Sequence, residues 1–147
     1  LPDGMRILRR TLIGHSFGGL FTVNALLTQP HAFDDFIAAD PSFWWDQRRL
    51  IQKAAADGLG DKAAAGPGRR LYLGFATKPR KDRTGSAERP AAGARLSADP
   101  LVSDFIGKLQ SQGMQVRRQD FPDEVHGTVM FPALFDALKH FYTRELS

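Results

Sequence analysis

The 147 residues contain no cysteine, which excludes disulfide frameworks, thiolate nucleophiles and Cys-ligated zinc and leaves any chemistry to Ser, His and carboxylates. Long apolar runs are missing too. None approaches the ~18 residues that a membrane-spanning helix needs, and no basic segment leads into a hydrophobic one after Leu1, so no membrane partner is expected. A large excess of one charge is also lacking. The net charge is +4, and the basic residues are scattered except around Arg69-Arg70 and Lys78 to Arg83. That distribution argues against a nucleic-acid partner and is easier to reconcile with an anionic small molecule. No spacing of His, Asp and Glu points to a metal site, and no cofactor is implied.

With 42% hydrophobic and 24% charged residues, the chain has the make-up of a globular unit able to bury a core. Arg10 to Gly14 is a short, β-favouring apolar run ending at glycine, and Phe17 to Leu27 reads as a helix that is apolar on nearly every face. Phe36 to Ala39 is a second buried strand closing at Asp40-Pro41. Asp46 is placed to cap a helix running to about Ala56, before a glycine-rich loop. Leu71 to Ala76 is a third strand, and Thr77 to Pro90, without periodicity, reads as a long loop. Asp99, Pro100 and Gly113 punctuate an amphipathic helix, Met114 to Phe121 suits a sheet edge, and Phe131 to Tyr142 is a last helix. Such alternation predicts an α/β fold with a mostly parallel sheet and helices on both faces. Because the first predicted strand arrives within ten residues of Leu1, the chain is expected to be a piece of a longer one.

A serine hydroxyl becomes a useful nucleophile only when a base removes its proton and the backbone exposes it. Gly14-His15-Ser16-Phe17-Gly18 falls at the junction of a predicted strand and helix, the context in which Gly-x-Ser-x-Gly presents its serine on a tight elbow. Ser16 is therefore the candidate nucleophile, and the Phe17 N–H is the candidate oxyanion donor. Of the four histidines, His15 is expected to point away from the nucleophile. His31 follows a helix end and His140 lies within a helix. His126 sits in a loop after a strand and is the candidate base. The acid has more than one reading. Asp82 is the first carboxylate after the third strand, and Asp40 ends the strand before it. Asp123 and Glu124 are too close in sequence to His126 to orient it well, and a Ser–His dyad needs no acid at all. Trp44 and Trp45 either pack in a loop or line a pocket for an aromatic acyl group.

Three ordered stretches, Arg10 to Phe21, Asp40 to Trp45 and Phe121 to Gly127, resemble the putative-esterase family of α/β-hydrolases, most closely its enterochelin esterase-like branch. The resemblance implies an α/β-hydrolase fold and a serine esterase acting on catecholate siderophores such as enterobactin or salmochelin, with Ser16 as nucleophile and His126 as base. Two departures matter: Asp40 stands where many relatives have Ser, and no acid follows Ala76, as in members that work with a dyad. The resemblance also implies that residues 1–147 are the C-terminal portion of one such domain, starting just before the elbow strand. On that view the chain self-associates or is complemented through an open sheet edge. The alternatives are an esterase for another acyl or carbohydrate ester, and a catalytically incomplete binding or structural fragment.

Overall fold

A computed structural model describes residues 4–143. The strands β1 (Thr11–His15), β2 (Asp35–Ala39), β3 (Arg70–Ala76) and β6 (Gln115–Phe121) form one parallel sheet in the order β1-β2-β3-β6. The register aligns His15 with Ala39, Ala39 with Gly74 and Gly74 with Gln119. The carboxyl ends of the strands therefore open onto one rim of the sheet, where ligands of open α/β sheets bind.

One face of the sheet is covered by α1 (Phe17–Thr28), α2 (Arg49–Asp57) and α4 (Pro100–Ser111). These bury Val23, Leu26, Ile51, Val102, Phe105 and Leu109 against Phe36, Leu71 and Phe75. The other face receives α5 (Met130–Tyr142), whose Ala133, Ala137 and Phe141 pack on Ile37 and Tyr72. Strand β2 is buried along its whole length, which explains the apolar run from Phe36 to Ala39. At α4 the sequence signals act as expected. Asp99 Oδ1 accepts the Leu101 N–H at 2.9 Å and Pro100 takes the first turn, where its missing N–H costs nothing.

Several elements differ from the sequence reading. Asp46 does not cap α2. Residues Asp46, Gln47 and Arg48 all have positive φ and form a 3₁₀ turn ahead of it. The segment read as one loop holds a hairpin of β4 (Arg80–Lys81) and β5 (Glu88–Arg89), and α3 (Ala92–Ser97) follows it. Helix α1 is buried on one side only. Phe17 and Phe21 are largely exposed, because no described element covers that side.

Candidate active site

The site forms where β1, β2 and β6 end. Between β1 and α1 the backbone turns at Ser16, with φ 59° and ψ −117°, a region that non-glycine residues occupy at a cost and mostly at functional turns. The turn is held by Ser16 N–H donating to the Ala39 carbonyl at 3.0 Å and Leu20 N–H donating to the Ser16 carbonyl at 3.0 Å. Gly14 is required by close approach, since a Cβ there would lie 2.0 Å from the Gly18 carbonyl oxygen. Gly18 carries no such constraint, with open space at its Cβ position, so only the first glycine of the motif is enforced by contacts among the described residues.

His126 lies in the turn between β6 and α5. This loop crosses the end of β3, where the Thr77 N–H donates to the Phe121 carbonyl and the Lys78 N–H to the Glu124 carbonyl. Its imidazole is thereby brought over the ends of β1 and β2. Nε2 lies 3.1 Å from Ser16 Oγ, and Nδ1 lies 2.6 Å from Asp40 Oδ2. The Asp40 residue is 3% exposed, and its Oδ1 accepts the Ala76 N–H at 3.3 Å. Its backbone has φ 43°, a left-handed conformation that Asp tolerates better than most residues. Gly93 makes room for the carboxylate, since a Cβ there would come within 2.5 Å of Asp40 Oδ1.

Asp82 lies elsewhere. It closes the β4–β5 hairpin, its Oδ1 accepting the backbone N–H groups of Thr84 and Ser86 at 3.0 Å each. The Thr84 hydroxyl, with those backbone donors, holds its carboxyl below the ordinary range. The structure thus brings together Ser16, His126 and Asp40, and leaves Asp82 in a turn of its own. His15 also departs from expectation. Its ring lies against that of His126, with centroids 4.7 Å apart, and its Nε2 is 2.7 Å from the His126 carbonyl oxygen. His31 is placed near Arg69, and His140 against Phe141. A residue that the sequence did not single out, Ser42, places its Oγ 3.2 Å from Ser16 Oγ.

The Phe17 N–H sits at the first position of α1 beside Ser16. It has no protein acceptor among the described residues, as is usual for the first N–H groups of a helix. Trp44 and Trp45 are both about half exposed and meet the Phe17 ring edge-on at 5.6 and 5.2 Å. Trp45, Phe17, Leu20 and Phe21 line a cavity of about 440 Å³ that Arg49 and Lys53 border. A second cavity, about 260 Å³, reaches Asp40 and His126 and is bordered by Lys78 and Arg80. Arg80 also borders a third, of about 590 Å³, together with Lys81, Arg83, Arg89 and Arg95. Arg49 pairs with Asp46 at 3.7 Å, whereas Lys78, Arg80, Lys81, Arg83, Arg89 and Arg95 have no carboxylate partner within 4 Å among the described residues.

No family model matches the chain. Among curated proteins it is similar to a siderophore enterobactin esterase of Emericella nidulans, with 34% identity covering 86% of this chain and 45% of that protein. A siderophore triacetylfusarinine C esterase of Aspergillus fumigatus is 44% identical over 50 residues, covering 34% of this chain and 17% of that one. Among solved structures, siderophore hydrolase EstB from Aspergillus nidulans aligns at a TM-score of 0.66 and 24% identity over 93% of this chain and 50% of its own. An IroE-like serine hydrolase from Shewanella oneidensis aligns at 0.61 and 25%, over 90% and 40%. The fold is that of the α/β-hydrolases, and the chain spans less than half the length of the curated relatives it matches.

Proposed function

We propose that this chain, which belongs with the enterochelin esterase-like α/β-hydrolases, carries the nucleophile, base and acid of a serine esterase that hydrolyses siderophore esters. The observation that carries the reading is the relay of Ser16, His126 and Asp40, at 3.1 and 2.6 Å. Asp40 fixes Nδ1 as the protonated nitrogen, so Nε2 faces Ser16 as a base. Ser16 Oγ attacks the ester carbonyl carbon while its proton passes to Nε2. The carbonyl oxygen takes up negative charge beside the Phe17 N–H. As the intermediate collapses, the imidazolium protonates the leaving alcohol. Water then repeats the sequence on the acyl-enzyme.

On the substrate side, the uncompensated cations around the cavities beside His126 and along the hairpin favour an anionic ligand, such as a catecholate siderophore with its iron bound. Trp45 and Phe17 offer aromatic walls for an aryl acyl group.

Residues 1–147 form, on this proposal, the C-terminal portion of one hydrolase domain. The outer edge of β1 has no strand partner among the described residues. Phe131 and Phe135 of α5 stand 76% and 66% exposed, an apolar strip of the kind that marks an interaction surface. Strands of a complementing segment, or a second copy, cover that edge.

A fluorophosphonate probe tests the catalytic reading. It labels Ser16 in the wild-type chain and leaves Ser16→Ala unlabelled, with the adduct mapped by mass spectrometry. Equal labelling of the two proteins removes Ser16 from the role of nucleophile.

A further inference from the structure

Ser42 lies in the turn after Asp40 and is 2% exposed. Its backbone is pinned on both sides, the Ser42 N–H donating to the Ser16 carbonyl at 3.1 Å and its own carbonyl accepting the Trp45 N–H at 3.0 Å. Its hydroxyl has one partner among the described residues, Ser16 Oγ at 3.2 Å.

The direction of the hydrogens in this chain of groups follows from its far end. An ionised carboxylate only accepts, so the proton between Asp40 and His126 resides on Nδ1. The neutral ring then offers a lone pair at Nε2, and Ser16 must donate to it. Having given its single hydrogen to Nε2, Ser16 Oγ is left as an acceptor. The hydrogen between the two serines therefore belongs to Ser42, a group shielded from water.

We infer that Ser42 is a further catalytic group, the donor that holds Ser16 Oγ on the base and stabilises the charge developing on that oxygen. The inference rests on the assignment of Ser16 as nucleophile. In acylation the Ser16 O–H bond breaks and its proton moves to Nε2. The freed oxygen pair forms the bond to carbonyl carbon, and the carbonyl π pair moves to oxygen. Ser42 keeps its proton throughout. Ser16 Oγ carries partial negative charge in the transition state to the extent that its proton has moved to Nε2 ahead of C–O bond formation. A hydrogen bond strengthens as its acceptor gains such charge, so the bond contributes more there than in the resting site. The same bond acts in deacylation, where Ser16 Oγ is the leaving atom.

Phosphonylation rates of the wild-type chain and of Ser42→Ala, Ser42→Thr, Ser42→Val and Ser16→Ala, each with a fluorophosphonate over a range of concentrations, test this. Loss of one hydrogen bond to a charged atom predicts a maximal rate about ten- to hundredfold lower for Ser42→Ala and Ser42→Val, with the probe's half-saturation concentration unchanged. Ser42→Thr, which restores the hydroxyl in the shape of Val, keeps a rate within about threefold of wild type, whereas a role in packing alone moves Thr and Val together. Wild-type rates in Ser42→Ala overturn the inference. So does a loss confined to half-saturation, or a Thr variant no faster than Val. Absence of labelling in the wild type, or labelling that survives Ser16→Ala, fails the nucleophile assignment itself and takes this inference with it.

Discussion

His126 Nδ1 and Asp40 Oδ2 meet at 2.6 Å although 86 positions separate them in the chain. Their meeting depends on strand order. Strand β3 lies between β2 and β6, and the loop after β6 crosses its end, so the imidazole reaches the carboxylate of the strand beyond. Removing the charge tests the pair. Asp40→Asn leaves the size of the side chain almost unchanged but lets the imidazole take the wrong tautomer, and a rate loss of about 10⁴ on an aryl ester is expected. Asp82→Asn, confined to its hairpin turn, costs less than about tenfold. Reversal of that ranking, in turnover or in phosphonylation, removes Asp40 as the acid.

Loss of His126, the proposed base, is expected to be as severe. Without the His126 imidazole, Ser16 keeps its proton, so His126→Ala should slow acylation by several orders of magnitude while Asn replacement of the neighbouring His15 should not. Stopped-flow or burst kinetics on an aryl ester separates these effects from binding. A His15→Asn variant as slow as His126→Ala would show that the two neighbouring rings act as a unit.

The hairpin cations set a salt dependence. Exposed pairs each contribute about 0.2–1 kcal/mol. Charge reversal at Arg80, Arg83 and Arg89 together should therefore weaken binding of an anionic ferric catecholate roughly tenfold or more at low salt. A neutral ester should be unaffected. Tryptophan quenching in the Ser16→Ala background reads binding without turnover. Equal affinity of the reversed and wild-type proteins removes the hairpin from recognition.

Far from the site, Asp35 links the opposite ends of the strands. Its fully buried carboxylate takes hydrogen bonds from Arg9, Arg70 and the Tyr142 hydroxyl at 2.6 to 2.9 Å. Burial pushes its carboxyl up, but the bonds from Arg70, Arg9 and Tyr142 outweigh burial and hold it well below the usual carboxylate range. A depressed folded-state value means that this stabilisation is complete above the ordinary carboxylate pKa of about 4 and is lost as pH falls from there. Urea midpoints should therefore drop below about pH 4, and Asp35→Ala should lose about 3–5 kcal/mol near neutrality. The variant should also be flatter with acid; a parallel pH profile argues against this role.

The apolar strip and the edge of β1, which has no strand partner among the described residues, predict an associating chain. Light scattering should show dimers or larger species at micromolar concentration, and Phe131→Glu with Phe135→Glu should shift them toward monomer. Turnover by the 147-residue chain alone should be low. A monodisperse wild-type monomer with full esterase activity would show that neither a second copy nor a complementing segment is needed.

What the sequence determined by itself is local. Residues 10–19 place a β-favouring run, a glycine that tolerates no Cβ and a serine before an apolar helix, and these signals need only neighbouring residues to act. The same holds for the Asp99-Pro100 start of α4. The carboxylate was decided by tertiary structure, because the spacing of strands along the chain does not say which strand end a crossing loop reaches. Asp40 was visible as the end of a strand, but its pairing depended on the sheet order and on the room left by Gly93. The ring of His15, the contact between Ser42 and Ser16 and the hairpin within residues 77–90 were hidden for a related reason. Each depends on a side chain or backbone group brought close by folding, and hydrogen bonds at such contacts leave no periodicity in the text.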